Sequence, residues 1–425
     1  MLQIYNSYSK KKETFKPVTE GKVNIYTCGP TVYSSAHVGN FSAFLMADIL
    51  VRYFKYSGND VKWVMNITDV GHLTDDNEVT DDGEDKLEAA SKKENKTVWE
   101  IARYYENAFL DDIKKLKLLP AYKYPRATEH VEEMIDMIKT LQEKDVIYET
   151  SDGVYFDISK FKKYGKLSGN DVEALQAGSR VEVNEDKRSP FDFALWKKLM
   201  GKNENHIMKW ESPWGTGFPG WHIECSAMSK KYLGETLDFH TGGEDNKFPH
   251  HESEIAQSEV ANGKQFANYW MHKSRVVVNN EKMSKSLGNF FTVTDLVKLG
   301  YTPESIRFTF ISVHYRSKLN FTEEKLVESQ KTIDKFNDFI QFIMKAEEAG
   351  ENSSIASIIK STKQQFEKAM DDDLNVSGAL APLFGFIKSM RKQVNNSGIS
   401  TTNKEQILSF LKSVNSIFEV FDFEE

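Results

Sequence analysis

Residues 23–67 constrain the fold most, because two β-rich runs there flank one helical run. "VNIYT" (23–27) is a short strand. "NFSAFLMADILVRYF" (40–54) puts Phe41, Phe44, Leu45, Ile49, Leu50 and Tyr53 near helical spacing. "VKWVMNI" (61–67) follows the turn "SGND" as the next strand. Parallel strands joined by a helix imply an α/β sheet, with ligands at the carboxyl ends of the strands.

The same pattern returns in "LDFHTGGED" (237–245) and "SRVVVNNEKMSKS" (274–286). An insertion separates the two α/β pieces. It holds an amphipathic helix, "TEHVEEMIDMIKTLQ", with Val131, Met134, Ile135, Ile138 and Leu141 on one face. Short strands such as "GVYFDI" and "FDFALW" follow. From Thr322 onward only helical periodicity remains, broken at "EEAGENSS", "DDDLN" and "NNSGISTTN". The expected division is an α/β body over 1–120 and 201–321, an insertion over 121–200, and an all-helical unit over 322–425. The acidic run "LTDDNEVTDDGEDK" (73–86) reads as a solvated loop.

Bulk properties exclude several classes. No apolar run approaches membrane length, and the N-terminus lacks the apolar core of a secretion signal. Two cysteines make no disulfide framework, so a reducing cytoplasm is expected. A net charge of −8 argues against bulk attraction to nucleic acid, although not against a local basic groove.

Two short motifs bear on chemistry. "SAHVGNF" (35–41) lies where the first strand hands over to the first helix, a point attractive to phosphate. His37 and Asn40 add side-chain donors there, and Gly39 permits close backbone approach. The common cradles GxGxxG and GxxxxGK[ST] are absent from this stretch, so a nucleotide would be held differently. In "VVVNNEKMSKSLGN" (276–289), Asn279 and Asn280 suit a tight turn after a β-branched strand. Lys282 and Lys285 flank Met283 and Ser284, with Ser286 next. Two lysines on such a loop could close over a polyphosphate and offset developing charge. Taken singly, HVGN is a weak signal, since a loop histidine is more often incidental, and an isolated lysine pair reads as a solvated surface loop.

Together, an HIGH-like tetrapeptide and a literal KMSKS resemble the class I aminoacyl-tRNA synthetases. "TCGPTVY", "NITDV", "SPWGTGFPGWHIECSAM", "FPHHESEIAQSE", "KMSKSLGN" and "HYRSKLNFT" resemble, more closely, the cysteinyl-tRNA synthetases. The resemblance implies a Rossmann-like parallel-sheet catalytic domain with an inserted connective domain, then a helical tRNA-binding domain. It implies that His37, Gly39, Asn40, Lys282, Ser284, Lys285 and Ser286 bind ATP, and that Lys285 stabilises the transferring phosphate. Thr68, Trp221 and Asp245 would line the amino-acid pocket.

Cys28 and Cys225 are single thiols on separate segments, and spacing alone does not pair them. By themselves they read as small buried side chains. His250 and Glu254, at i and i+4 on a helix-compatible run, read as an ordinary surface pair. The resemblance implies instead that Cys28, Cys225, His250 and Glu254 hold one Zn²⁺, while His222 and His251 fall outside the ligand pattern. Such a metal has a physical purpose. A pocket built from shape rejects serine poorly, whereas zinc takes a thiolate far more readily than a hydroxyl. Two thiolates and a carboxylate leave −1 on the centre, which suits recognition better than water activation. Four protein ligands usually mark a closed site, so a fifth position or a loosely bound Glu254 would be needed.

The implied activity joins L-cysteine to tRNA(Cys) with ATP and Mg²⁺, by way of cysteinyl-adenylate. A cytoplasmic monomer without membrane or editing domain is expected. No counterpart of the usual small anticodon-reading module is found before "SIFEVFDFEE". Two alternatives remain: a paralogue joining cysteine to an aminoglycoside in mycothiol synthesis, and an inactive tRNA-binding relative.

Overall fold

The structure is a computed structural model that describes residues 1–76, 81–170, 186–283 and 289–424. Four strands form its central sheet: β1 (Lys22–Thr27), β2 (Asp60–Met65), β3 (Leu237–Gly243) and β4 (Ala267–Lys273). All are parallel, in the order β4-β3-β1-β2. Ile25 faces Phe239 on one side and Trp63 on the other. Helix α1 (Val38–Tyr56) crosses from β1 to β2. Helix α2 (Trp221–Leu233) precedes β3, and α3 (His250–Asn262) crosses from β3 to β4. The two crossovers step in opposite directions from the β1–β3 pair. That reversal opens a crevice beyond their carboxyl ends, and Cys28 follows β1 directly into it.

A second, four-stranded antiparallel sheet takes three strands from the inserted region and one from just beyond it. Its order is Gly217–Pro219, Phe193–Lys198, Gly153–Phe156, Ile147–Glu149. The acidic run differs from its expected form. Leu73–Asp76 and Asp81–Asp85 pair as an antiparallel hairpin. Asp85 is buried, accepting from the backbone N–H groups of Gly71 (2.8 Å) and Leu87 (2.7 Å). Burial of a carboxylate is tolerable here because those donors replace water.

Helix α4 (Pro303–Ile311) leads to the helical unit: α5 (Glu323–Met344), α6 (Ser354–Met370), α7 (Val376–Ser397) and α8 (Thr401–Phe418). Thr322 and Ser400 cap α5 and α8 through their hydroxyl oxygens. The three breaks read from the sequence fall between these four helices. Among the described residues no helix is long and apolar enough to cross a membrane.

Helix α1 is not amphipathic in place: every residue from Phe41 to Phe54 is buried. Its two buried charged members, Asp48 and Arg52, belong to a knot. Asp48 Oδ2 accepts from Arg52 Nε (2.9 Å) and from Arg307 Nη2 of α4 (2.5 Å). Arg307 also donates to the carbonyls of Leu116 (2.9 Å) and Phe418 (2.6 Å). Arg52 donates to Ser416 O (2.9 Å) and Glu419 (2.8 Å). Removing one partner leaves the others buried and unmatched. Arg307→Ala is therefore expected to cost about 3 kcal/mol of stability. Urea unfolding checks this, and an unchanged midpoint would show the knot to be energetically neutral.

Candidate active site and metal centre

Three elements deliver the candidate ligands to one point. Cys28 leaves β1 with its N–H on Thr241 O (3.2 Å). Cys225 lies in the second turn of α2, and His250 and Glu254 share the first turns of α3. All four are buried. The sulfurs stand 3.7 Å apart, Cys28 Sγ is 3.4 Å from Glu254 Oε1, and Cys225 Sγ is 3.6 Å from His250 Nε2. His250 Nε2 is 3.1 Å from Glu254 Oε1. A tetrahedral zinc with Zn–S near 2.3 Å and Zn–N or Zn–O near 2.0 Å would set these separations at about 3.8, 3.5, 3.5 and 3.3 Å. The four-residue set fits that geometry within about 0.2 Å on every edge compared.

A second combination shares the site: Cys28, His240, His251 and Glu254. It uses one thiol, and its His240 Nε2 is 2.7 Å from Glu254 Oε2, a hydrogen-bond distance. The histidines are better read as supports for the first set. His222 Nδ1 lies 2.9 Å from His250 Nδ1, which leaves Nε2 facing the thiols. His240 holds the carboxylate oxygen of Glu254 that points away from Cys28. Metal-ligating histidines and carboxylates are commonly oriented by such partners. His251 comes closer than the sequence suggested, with Nε2 3.3 Å from Cys28 Sγ and Nδ1 on His272 Nε2 (2.8 Å).

Burial sets the protonation of this cluster. It pushes the Cys28 thiol well above its ordinary range, with the Cys225 thiol as the next cause. Burial likewise raises Cys225 to about 11. Burial first, and neighbouring histidines second, hold His250 and His251 neutral. At neutral pH the site thus offers two thiols and neutral imidazoles, and a dication must displace two protons to bind. Zinc affinity is expected to rise about a hundredfold per pH unit between pH 6 and 8. Competition titration with a chelator measures this, and a tenfold slope would mean that only one thiol ligates.

Trp221 forms the neighbouring wall. Its indole is stacked between His250 (4.0 Å, 19°) and His72 (4.0 Å, 8°). His72 Nδ1 is in turn 2.8 Å from Thr31 Oγ1. Thr68 is buried and donates to Glu224 Oε2 (2.8 Å), while Asn66 Nδ2 donates to Thr68 Oγ1 (3.1 Å). Gly29 passes so close that a Cβ would lie 1.8 Å from Asn66 O. Only glycine permits that close approach of the two backbone segments. Asp245 is exposed, and its carboxylate pairs with Arg275.

The two phosphate motifs meet. His37 caps α1: its Nδ1 accepts from Asn40 N (3.2 Å), and Asn40 Oδ1 accepts from His37 N (3.0 Å). An accepting Nδ1 places the proton of the neutral ring on Nε2. The His37 ring meets Phe290 edge-on at 5.1 Å, and Val38 N donates to Phe291 O (2.9 Å). A Cβ on Gly39 would lie 2.8 Å from the His37 ring and 3.7 Å from Met283. Lys282 is exposed, pairs with Val277, and its carbonyl accepts from Asn289 Nδ2 (3.2 Å). Both flanks of KMSKS are thus pinned beside the start of α1. Ser284, Lys285 and Ser286 lie outside the described residues.

Sequence reasoning missed His240 and His72 and gave His251 no part. A signal existed for His240: it sits near the carboxyl end of a parallel strand, before two glycines. For His72 no local signal marks a ring that stacks on a tryptophan far along the chain.

Comparison with known proteins agrees with this architecture. Residues 14–331 match the family described as tRNA synthetases class I (C) catalytic domain, and residues 365–423 match the DALR domain. The chain is 43% identical to a cysteine–tRNA ligase of Finegoldia magna, covering 98% of this chain and 86% of that one. It is 45% identical to that of Chlorobium chlorochromatii (96% and 83%) and 43% identical to that of Pyrococcus horikoshii (99% and 87%). A solved methionyl-tRNA synthetase from Mycobacterium tuberculosis, in complex with methionyl-adenylate, superposes with a TM-score of 0.66 at 12% identity. That likeness covers 94% of this chain and 90% of the other, and it concerns the fold alone. The chain belongs to the cysteine–tRNA ligase family of class I tRNA synthetases.

Proposed function

We propose that this protein activates L-cysteine with ATP to cysteinyl-adenylate and transfers it to the 3′ end of tRNA(Cys), with zinc reading the substrate thiol. One observation carries the zinc reading: two thiols, an imidazole and a carboxylate lie at tetrahedral separations at the crevice, and one of the thiols, Cys28, shortly precedes the HVGN segment. When bound, zinc would supply a soft Lewis acid that takes sulfur in preference to oxygen. Trp221, Thr68 and the backbone at Gly29 shape the space around the amino acid. Asp245, on the exposed rim and paired with Arg275, lines the same pocket in this reading.

The substrate carboxylate is itself the nucleophile and needs no general base. It attacks the α-phosphorus of ATP, one P–O bond forms as the bond to pyrophosphate breaks, and pyrophosphate leaves; Mg²⁺, when bound, would offset charge on the phosphates. The chain's part is positioning and charge. His37 Nε2–H, Asn40, the N–H groups at the start of α1, and Gly39 bind the nucleotide. Lys282, Ser284, Lys285 and Ser286 close over the phosphates, and Lys285 meets the charge that develops between them. A terminal ribose hydroxyl of the tRNA then attacks the adenylate carbonyl and releases AMP.

The domain assignment follows the same reading: 1–120 and 201–321 catalytic, 121–200 connective, and 322–425 gripping the tRNA. The two thiols stand 3.7 Å apart and unbonded, which suits a reducing cytoplasm. The catalytic parts come from one chain, so a monomer suffices. Purified protein tests the reading with ATP, cysteine and two acceptors, tRNA(Cys) and a glucosamine-containing pseudodisaccharide. Pyrophosphate exchange that needs cysteine, with charging of tRNA alone, is the expected result. Ligation to the sugar, or no exchange, would overturn it.

A further inference from the structure

Between α1, the end of β4, α4 and the corner before α7 lies a small, partly open cavity. Ser42, Met46, Lys273, Phe310, Tyr315 and Val376 are among its walls. Its volume is about 20 Å³, measured to the centre of a water-sized sphere. Most of the lining is apolar; besides Tyr315, whose hydroxyl is bonded to Asp373, two side chains are not. Lys273 is 3% exposed and Ser42 is 2% exposed.

Both polar groups are short of partners. Lys273 Nζ donates one long hydrogen bond, 3.4 Å, to Tyr315 O. An ammonium has three donors. Ser42 Oγ has no hydrogen-bond partner among the described residues. The carboxylate bonded to Tyr315 is Asp373, and it is committed elsewhere. It accepts from Tyr315 OH (2.6 Å), Tyr5 N (2.8 Å) and Arg316 Nε (2.7 Å), with His314 3.6 Å away. Burial pushes the Lys273 amine down to about 8, and no acidic side chain acts against that. The amine is still mostly protonated at pH 7. A buried cation without a counter-charge is costly, and the cost is met when a partner of opposite sign enters.

We propose that this cavity binds one small monovalent anion of the halide class, held by Lys273 Nζ and Ser42 Oγ. The volume admits a single atom or one water, since one water needs about 10–15 Å³ on this measure. Phosphate and sulfate are too large. Apolar walls favour a weakly hydrated ion over a strongly hydrated one. Water could satisfy the two donors, but it leaves the ammonium charge unmatched. The walls come from the α/β body and from the residues leading into the helical unit, so the ion also braces that junction.

Bromide is the probe. Crystals soaked in sodium bromide are measured at the bromine edge. Thermal unfolding at pH 7 is compared in sodium bromide and in sodium gluconate at matched ionic strength. One anomalous peak within hydrogen-bonding reach of Lys273 Nζ is expected, with a midpoint at least about 1 °C higher in bromide. Lys273→Met should lose both, while cysteine-dependent pyrophosphate exchange continues. Ser42→Ala should weaken the bromide benefit and decides the matter if Lys273→Met fails to fold. An ordered water without anomalous signal, or an equal bromide benefit in either variant, would overturn the proposal.

Discussion

Cys225→Ser should yield a folded protein that binds ATP, carries little zinc, and no longer tells cysteine from serine well. The substitution changes side-chain volume slightly, so the α2–α3 contact survives. It replaces a thiol by a hydroxyl far less willing to give up its proton at neutral pH. His250 and Glu254 then face one sulfur instead of two, and the tetrahedral set is broken. If shape alone remains, discrimination falls to about a hundredfold. The loss against the parent should be at least another hundredfold, because a metal–sulfur bond is what shape cannot imitate. Zinc per chain, ATP affinity, and pyrophosphate exchange with each amino acid are the measurements. A metal-free variant that still activates cysteine and still rejects serine would refute metal reading of the thiol.

Lys285→Ala should act on a different quantity. The lysine is proposed to meet charge that appears only as the α-phosphorus is attacked. Its loss is expected to slow adenylate formation by about 10²–10³-fold, the usual consequence of removing one pre-set donor from a developing anion. Cysteine affinity should hardly move, since interactions made only in the transition state leave ground-state binding alone. Single-turnover adenylate formation beside equilibrium cysteine binding separates the two. Equal losses in both would make Lys285 a ground-state contact. Lys282→Ala is a useful companion, because its backbone already anchors the loop through Val277 and Asn289.

The sheet was legible because its signal is local. A β-rich run, a helical run and a second β-rich run can be read within 45 residues, and the four C-terminal helices announce their ends with capping and turn residues. The strand-to-helix junction at SAHVGNF was legible for the same reason. The candidate metal cluster was not legible from spacing, since Cys28 and Cys225 are 197 residues apart and meet only when α2 packs on the sheet beside β1. A known family pattern, not periodicity, brought them together on paper. The supporting histidines were harder still. His240 acts through Glu254 and His72 through Trp221, contacts that exist only between packed elements. The acidic run misled because charge suggests water, while Asp85 is satisfied by backbone donors that no composition reveals.

The buried knot around Asp48 also fixes an order of events at the ribosome. Asp48 and Arg52 emerge early, yet their partners are Arg307, Ser416 and Glu419. At about 5–20 residues per second, Arg307 follows by roughly 13–50 s and Glu419 by roughly 20–75 s. Through that interval the nascent first helix holds an ion pair, Asp48 with Arg52, whose C-terminal partners have yet to arrive. The α/β body can form around its own first crossover, but the knot that locks that helix stays incomplete. Its completion is timed by the arrival of the helical unit, so the two parts of the molecule mature as one.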